Sequence, residues 1–310
     1  MEEYGAEIER RIEDMPALKS VEFPKELVKE VMSKVKGHSS LAKVSSQKPI
    51  PFSGTEEFIF NLEGNAQIVG EGEQKKEGKA TLGSKVIKPL KFVYQARVSD
   101  EFINCSDEKQ VDYLKLFSEG FAKKIATAFD LAAMHGVEPK SMADASFKDT
   151  NSFDGLVTSN LVTYDETKVD DNIDDAIQMV TTNENDVTGL VIAPATGQAL
   201  SKITVNGVRQ YPEFRFGQAP DYFFEMALDK NKTVSTKNEA GDEDMAITGD
   251  FENFFKWGYA ENIPLEVIEY GDPDQTGRDL KAYNEVCLRA EAYIGWGILD
   301  ASAFARVIKE

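Results

Sequence analysis

One helical pattern near the middle of the chain sets the scale of the fold. Leu114, Phe117, Phe121, Ile125, Ala128 and Ala132 recur at three- and four-residue spacing, which places them on one face of an amphipathic helix. Ser106 and Asp107 are N-cap candidates ahead of it, and His135 with Gly136 marks its end. From Glu108 to His135 such a helix runs about 42 Å at 1.5 Å per residue. That exceeds an average globular helix, and it predicts a spine along which a flat domain is laid out.

Short patterns surround this spine. Two short helices are expected within residues 1–36, broken near Pro16 and Pro24, with Leu27, Val28, Val31 and Val35 at helical spacing before Gly37. Leu41 to Pro51 has no period and two prolines, so an extended arm or linker is expected there. Phe58, Phe60 and Leu62 alternate, then Ala66, Ile68 and Val69 lead into residues 70–85, GEGEQKKEGKATLGSK, a glycine-studded charged tip. A return strand is expected over 86–102, where Leu90, Phe92 and Tyr94 alternate with Lys91, Val93 and Gln95. The result is a long β-hairpin whose tip has almost nothing to pack on itself.

Downstream, Ile173, Ala176, Ile177 and Val180 mark a second helix, GLVIAP at 189–194 a buried strand, and Gln198 to Ile203 a short third helix. Strand-like runs follow at Tyr222–Ala227, Phe254–Tyr259, Leu265–Glu269 and Asn284–Ile294, with a polar loop from Asp229 to Asp244. The fold class expected is α+β.

Composition excludes several functions. With 35 Lys and Arg against 54 Asp and Glu, the net charge is −19, which disfavours any surface built to grip phosphate backbones. Repulsion between copies should make self-association salt-dependent. No run approaches the roughly 20 apolar residues of a membrane span, and the acidic start MEEYGAEIERRIEDM is unlike a secretory signal. A cytosolic site of synthesis is therefore expected. Cys105 and Cys287, the only cysteines, are expected to be buried thiols.

The chemical motifs are weak. Gly72 and Gly78 enclose five residues where a phosphate loop has four, and Ala80 stands where Ser or Thr would hold magnesium. Asp272, Asp274, Thr276 and Gly277 match the opening of a calcium loop, but Tyr283 stands where a closing Glu belongs. The DDNIDD run at 170–175 reads as a helix start with a solvated face. His38, His135 and the two cysteines have no metal-ligand spacing, and His135 is expected to meet the last helical carbonyls. There is no GxSxG elbow and no Cys placed beside a His. No catalytic, cofactor-binding or metal residue is assigned, and no enzyme or cofactor is expected.

An unpacked arm, a charged hairpin, a long spine helix and a mixed remainder, in that order, resemble the major capsid proteins of tailed bacteriophages with the Hong Kong 97 fold. Residues 64–102, the helix LKLFSEGFAKKIATAFDLAAMHG and the ending YNEVCLRAEAYIGWGILDASAFARVI carry the resemblance. It implies an N-terminal arm (1–61), an extended loop (62–92), a peripheral domain (93–155 and 255–291) and an axial domain (156–254 and 292–310). It also implies self-assembly into pentamers and hexamers of an icosahedral shell around non-specifically contacted double-stranded DNA. The short stretch before the hairpin implies a separate scaffolding protein, with a portal as a further partner. A virion location, assembly in the bacterial cytoplasm and no membrane complete the expectation. The alternative is an encapsulin-type compartment around a cargo enzyme, disfavoured by the long arm ahead of a glycine-rich loop. Some members of the fold join a loop lysine to a neighbour's asparagine with help from a glutamate. Lys76, flanked by Lys75 and Lys79, and Asn284 and Glu291 stand in similar places. The ordinary reading, solvated lysines and polar strand residues, is preferred, and no crosslink is expected.

Overall fold

A computed structural model describes residues 21–22, 38–63, 68–69, 71, 74, 79–101, 107–237, 241–259 and 264–309. In chain order its first elements are β1 (Val21–Glu22), helix α1 (Ser40–Val44), β2 (Thr55–Glu63), β3 (Lys79–Ile87), β4 (Leu90–Ser99) and helix α2 (Asp107–His135). Then come α3 (Lys148–Asn151), α4 (Phe153–Leu156), β5 (Leu161–Thr163), α5 (Val169–Thr182), β6 (Gly189–Ile192) and α6 (Pro194–Leu200). The remaining strands are β7 (Thr204–Val205), β8 (Val208–Arg209), β9 (Tyr222–Phe223), β10 (Met226–Lys230), β11 (Glu243–Gly249), β12 (Phe255–Tyr259), β13 (Pro264–Ile268), β14 (Glu285–Ile298) and β15 (Phe304–Lys309), with short 3-10 turns at Pro212–Gly217, Lys281–Tyr283 and Ala301–Ala303.

The described residues fall into two compact units, one within 1–34, 91–125 and 261–292, the other within 35–90, 126–260 and 293–310. This is a coarser division than the four parts the resemblance implies. In the first unit, β13 pairs antiparallel with the start of β14, from Leu265 opposite Ala290 to Ile268 opposite Cys287. β4 also pairs with β14, and β1 with β13. The predicted stripe of α2 does its work here: Leu114 and Phe117 pack with Val98 and Val267 on buried Val286 and Leu288. Phe117 also stacks on Phe121, with ring centres 6.3 Å apart.

The second unit is built on a six-stranded sheet in the order β5-β15-β11-β6-β10-β9. β6 is buried along its whole length, as its unbroken apolar run requires of a central strand flanked by parallel β10 and antiparallel β11. Helix α5 lies against β11 and β15 with Ile173, Ala176 and Val180 buried. Phe153 touches Phe251, Phe255 and Phe304 at 5.1 to 5.8 Å, and Phe129 sits 5.3 and 5.7 Å from Trp257 and Trp296. The last turns of α2, from Phe129 to Val137, are buried on all sides, which explains why FDLAAMH has no polar residue beyond Asp130 and His135.

Several expectations need correction. Leu41 to Pro51 is not a free linker. Its start is helix α1, capped by Ser39, whose side chain accepts from the Ala42 amide, and Leu41 and Ala42 are fully buried. Lys48 and Ile50 then donate their amides to the Trp257 and Tyr259 carbonyls along β12. Gly258 makes this possible, since a Cβ there would stand 1.7 Å from the Lys48 oxygen. The hairpin's return strand is β3, all but Val86 and Ile87 of it within the stretch expected to be tip, while Leu90–Ser99 joins the β14 sheet instead. Pro89, which has no amide hydrogen, separates the two strands. The third helix begins at Pro194, a favoured first-turn residue, and not at Gln198. The strands β11 and β15 were not expected; β11 opens on the acidic Glu243 and Asp244, which read as the end of a polar loop, and Arg306 interrupts the apolar pattern of β15.

Candidate functional site

The β2–β3 hairpin is a two-stranded sheet on its own. Its register sets Glu56 opposite Val86, Phe58 opposite Ser84, Phe60 opposite Leu82 and Leu62 opposite Ala80. Directly opposed residues share a face, so this row carries the apolar Phe58, Leu82 and Val86. The other row holds Thr55 and Ile87, Glu57 and Lys85, and Ile59 and Gly83. Among the described residues nothing covers these three side chains: Phe58 is 64%, Leu82 68% and Val86 54% exposed. An isolated two-stranded sheet is marginal in water, and a bare apolar face marks a contact surface.

The hairpin's root is held firmly. Ile87 is buried, and Gly295 and Gly297 on β14 leave the space it fills, since a Cβ at either would lie 3.2 or 3.0 Å from its side chain. Lys85 Nζ donates to the Ile298 carbonyl at 2.8 Å and the Thr150 carbonyl at 3.2 Å. Burial pushes the Lys85 pKa down.

A second exposed surface lies between β8 and β10. Phe216 and Phe224 are 89% and 83% exposed, and both hold left-handed backbone with φ of 58° and 53°. For a bulky residue that costs on the order of 1–3 kcal/mol. Phe214 is buried and anchors the group through Phe223, 5.7 Å away, which in turn lies 4.9 Å from Phe224. Arg215 sits over the Phe216 ring at 4.7 Å.

The residues singled out in the sequence are mostly not brought together. Lys75 and Lys76 lie outside the described residues, as do Gly72, Gly78, Cys105 and Ser106. Lys79 opens β3 opposite Glu63. Asn284 is exposed, with φ of 53°, and its carbonyl accepts the Asp100 amide. Glu291 lies on β14, its carboxylate 2.6 Å from Lys91 Nζ. Seven residues of strand separate it from Asn284, about 23 Å, so the two cannot act on one bond within a single copy. Ala80 lies in a strand, not at the helix start a phosphate loop needs. At the calcium-like loop a guanidinium takes the cation's place. Arg97 donates to Asp272 at 2.6 Å, to both Asp274 oxygens, to Glu285 at 3.1 Å and to the Thr276 hydroxyl at 2.7 Å. The Arg97 hydrogen bond holds the Asp274 carboxyl down to about 2. The 170–175 run does start α5, with Asp171, Asp174 and Asp175 exposed. His38 is exposed, and Cys287 is a buried free thiol.

His135 departs from expectation. Instead of meeting its own helix's carbonyls, it donates from Nε2 to the Thr233 carbonyl at 2.8 Å, and its Nδ1 lies 3.2 Å from Asp154 Oδ2. Arg306 reaches Asp154 at 2.6 Å and grips Asp244 through Nε and Nη2 at 2.8 to 3.2 Å. Thr233 Oγ1 donates to Asp130 at 3.2 Å, and the Asp130 carboxylate also accepts from Ser39 Oγ, Ser40 N and Leu41 N. One buried polar chain thus runs from α1 through the end of α2 to β11 and β15. Among the described residues, His135, Asp154 and Asp244 form the one grouping with the donor set of a metal site. Arg306 already pairs with both carboxylates and both imidazole nitrogens are engaged, so the residues do not fit an ion. Sequence reading gave no role to Asp130, Asp244 or Arg306; for Asp130 and Arg306 the available signal was a charged residue inside an otherwise apolar run, while Asp244 ends an acidic stretch that reads as loop.

Comparison with known proteins follows from this architecture. A family model described as the phage capsid family matches residues 20–308. The chain is 24% identical over 284 residues to a probable major capsid protein, gp17, of Mycobacterium phage D29, covering 86% of this chain and 83% of that protein. A solved structure from Mycobacterium phage Ogopogo matches with a TM-score of 0.71 and 28% identity, over 88% of this chain and 92% of that one. One from Gordonia phage Cozz matches at 0.65 and 24% identity, over 90% and 87%.

Proposed function

The chain belongs to the phage capsid family, and from that membership we propose that the β2–β3 hairpin is the main joint by which one copy grips the next. The protein is a major capsid protein of the Hong Kong 97 type, part of the virion, and many copies assemble into the head shell. The observation that carries the hairpin's role is its uncovered apolar row at Phe58, Leu82 and Val86 above a root locked by Ile87 and Lys85. A blade fixed at its base, with none of the described residues of its own copy over its apolar face, is matched by a neighbour that covers it. The strained, exposed Phe216 and Phe224 support a second contact, for which rings of five and six copies are the arrangement we propose. Closed rings multiply modest contacts into a stable container. Loosely held double-stranded DNA, a separate scaffolding protein, a portal and assembly in the bacterial cytoplasm belong to the same proposal. The DNA clause is supported by the charge of −19, which suits release more than grip.

The test is the double variant Phe58→Asp/Leu82→Asp. Both side chains face solvent in the single copy, so the thermal midpoint of the subunit should move little. Sedimentation should find no capsomers or shells. Normal assembly of this variant would remove the hairpin from the proposal.

A further inference from the structure

We propose that His135 and Asp154 form a proton-held clasp that fastens the end of helix α2 to the loop at Thr233 and to the six-stranded sheet, and that loss of one proton opens it. The geometry carries the argument. Thr233 presents a carbonyl to Nε2, an obligate acceptor, and Asp154 presents a carboxylate to Nδ1. Both ring nitrogens therefore face acceptors, and the pair is satisfied only while a proton lies between Nδ1 and Oδ2. When that proton leaves, two lone pairs face each other across 3.2 Å in a site where His135 is 1% exposed, a costly arrangement away from water.

The surrounding charges agree. Asp154 on α4, Asp244 on β11 and Arg306 on β15 pack around the imidazole, with Asp242 acting on Arg306 through its field and Asp130 reaching the same loop through the Thr233 hydroxyl. With His135 protonated, two cations meet two carboxylates and the cluster is neutral; without that proton it carries a buried negative charge. Burial works against the imidazolium, but Asp154, Asp244 and the Thr233 carbonyl together outweigh it and leave the His135 pKa above its ordinary 6.5. Burial likewise works against the Asp154 carboxylate, yet His135 and Arg306 keep it below its usual range. The clasp therefore opens as pH rises through the raised histidine value. The chain has two histidines and His38 is exposed, so a buried imidazole transition in this range has one source.

Backbone hydrogen exchange on the full chain tests this, between about pH 7 and pH 9 and corrected for intrinsic base catalysis. Exchange at residues 131–137 and 231–234 should speed up about tenfold in the unsubstituted protein. Asp154→Asn, whose amide donates to a neutral Nδ1, should flatten that rise to less than about twofold, and His38→Ala should leave it unchanged. A flat profile in the unsubstituted chain, or the same rise in Asp154→Asn, overturns the clasp. Should Asp154→Asn fail to fold, the ring nitrogen signals of His135 decide: two protonated nitrogens at pH 7 support the proposal, and a neutral ring overturns it.

Discussion

Asp130 shows how a residue that spoils an apolar pattern becomes a fastener. Its carboxylate, wholly buried, gathers donors from Ser39, Ser40, Leu41 and Thr233. Burial still wins over those four bonds and pushes its pKa up to about 6. Because the folded value lies above the ordinary 3.8, the ionised form opposes folding at neutral pH, by roughly 3 kcal/mol. That opposition fades as pH falls through 6 towards 4, so this group makes the fold more stable in mild acid. Other carboxylates with lowered values, Asp154 and Asp274 among them, act in the opposite sense at lower pH. The comparison that isolates Asp130 is Asp130→Asn. The gain in urea midpoint between about pH 7 and pH 5 should be smaller in the variant than in the parent. Equal gains would show that Asp130 titrates as an ordinary surface acid. None of this was legible in the sequence, where a lone Asp in FDLAAMH does not say which distant donors will meet it.

At the scale of elements, legibility followed periodicity. Helix α2 was readable almost to the residue because its stripe repeats over many turns, and α5 and β6 because their patterns are clean. The hairpin was readable as an element but its return strand was misplaced. Its charged and glycine-containing residues look like tip, and only the pairing with Thr55–Glu63 makes them strand. β11 and β15 were hidden because Asp244 and Arg306 are buried there as a pair, a match that spans 62 residues of chain. Two glycines give a test of the packing account. Gly258→Ala should lower stability by more than about 2 kcal/mol, because the added carbon meets the Lys48 backbone oxygen. Gly120→Ala, on an exposed turn of α2 with nothing within 4 Å, should raise it by up to about 1 kcal/mol. Urea midpoints of the two variants check both signs, and similar effects would contradict the account.

For the whole molecule, the order of parts carried more information than any motif, since the phosphate-loop, calcium and metal patterns are each incomplete in the sequence itself. Covalent joining of copies is the remaining chemical question. Glu291 is held by Lys91 at 2.6 Å, in place of the apolar setting a proton-accepting glutamate needs. Boiled, denatured shells should therefore run as a single 34.4 kDa band. A ladder of multiples that disappears in Asn284→Ala would contradict this. The central claim is that the hairpin's apolar face is covered by a neighbour, and electron microscopy of assembled particles at side-chain resolution tests it most directly. The account predicts Phe58, Leu82 and Val86 buried against an adjacent copy. Shells in which that face stays open to solvent, or folds back on its own subunit, would contradict it.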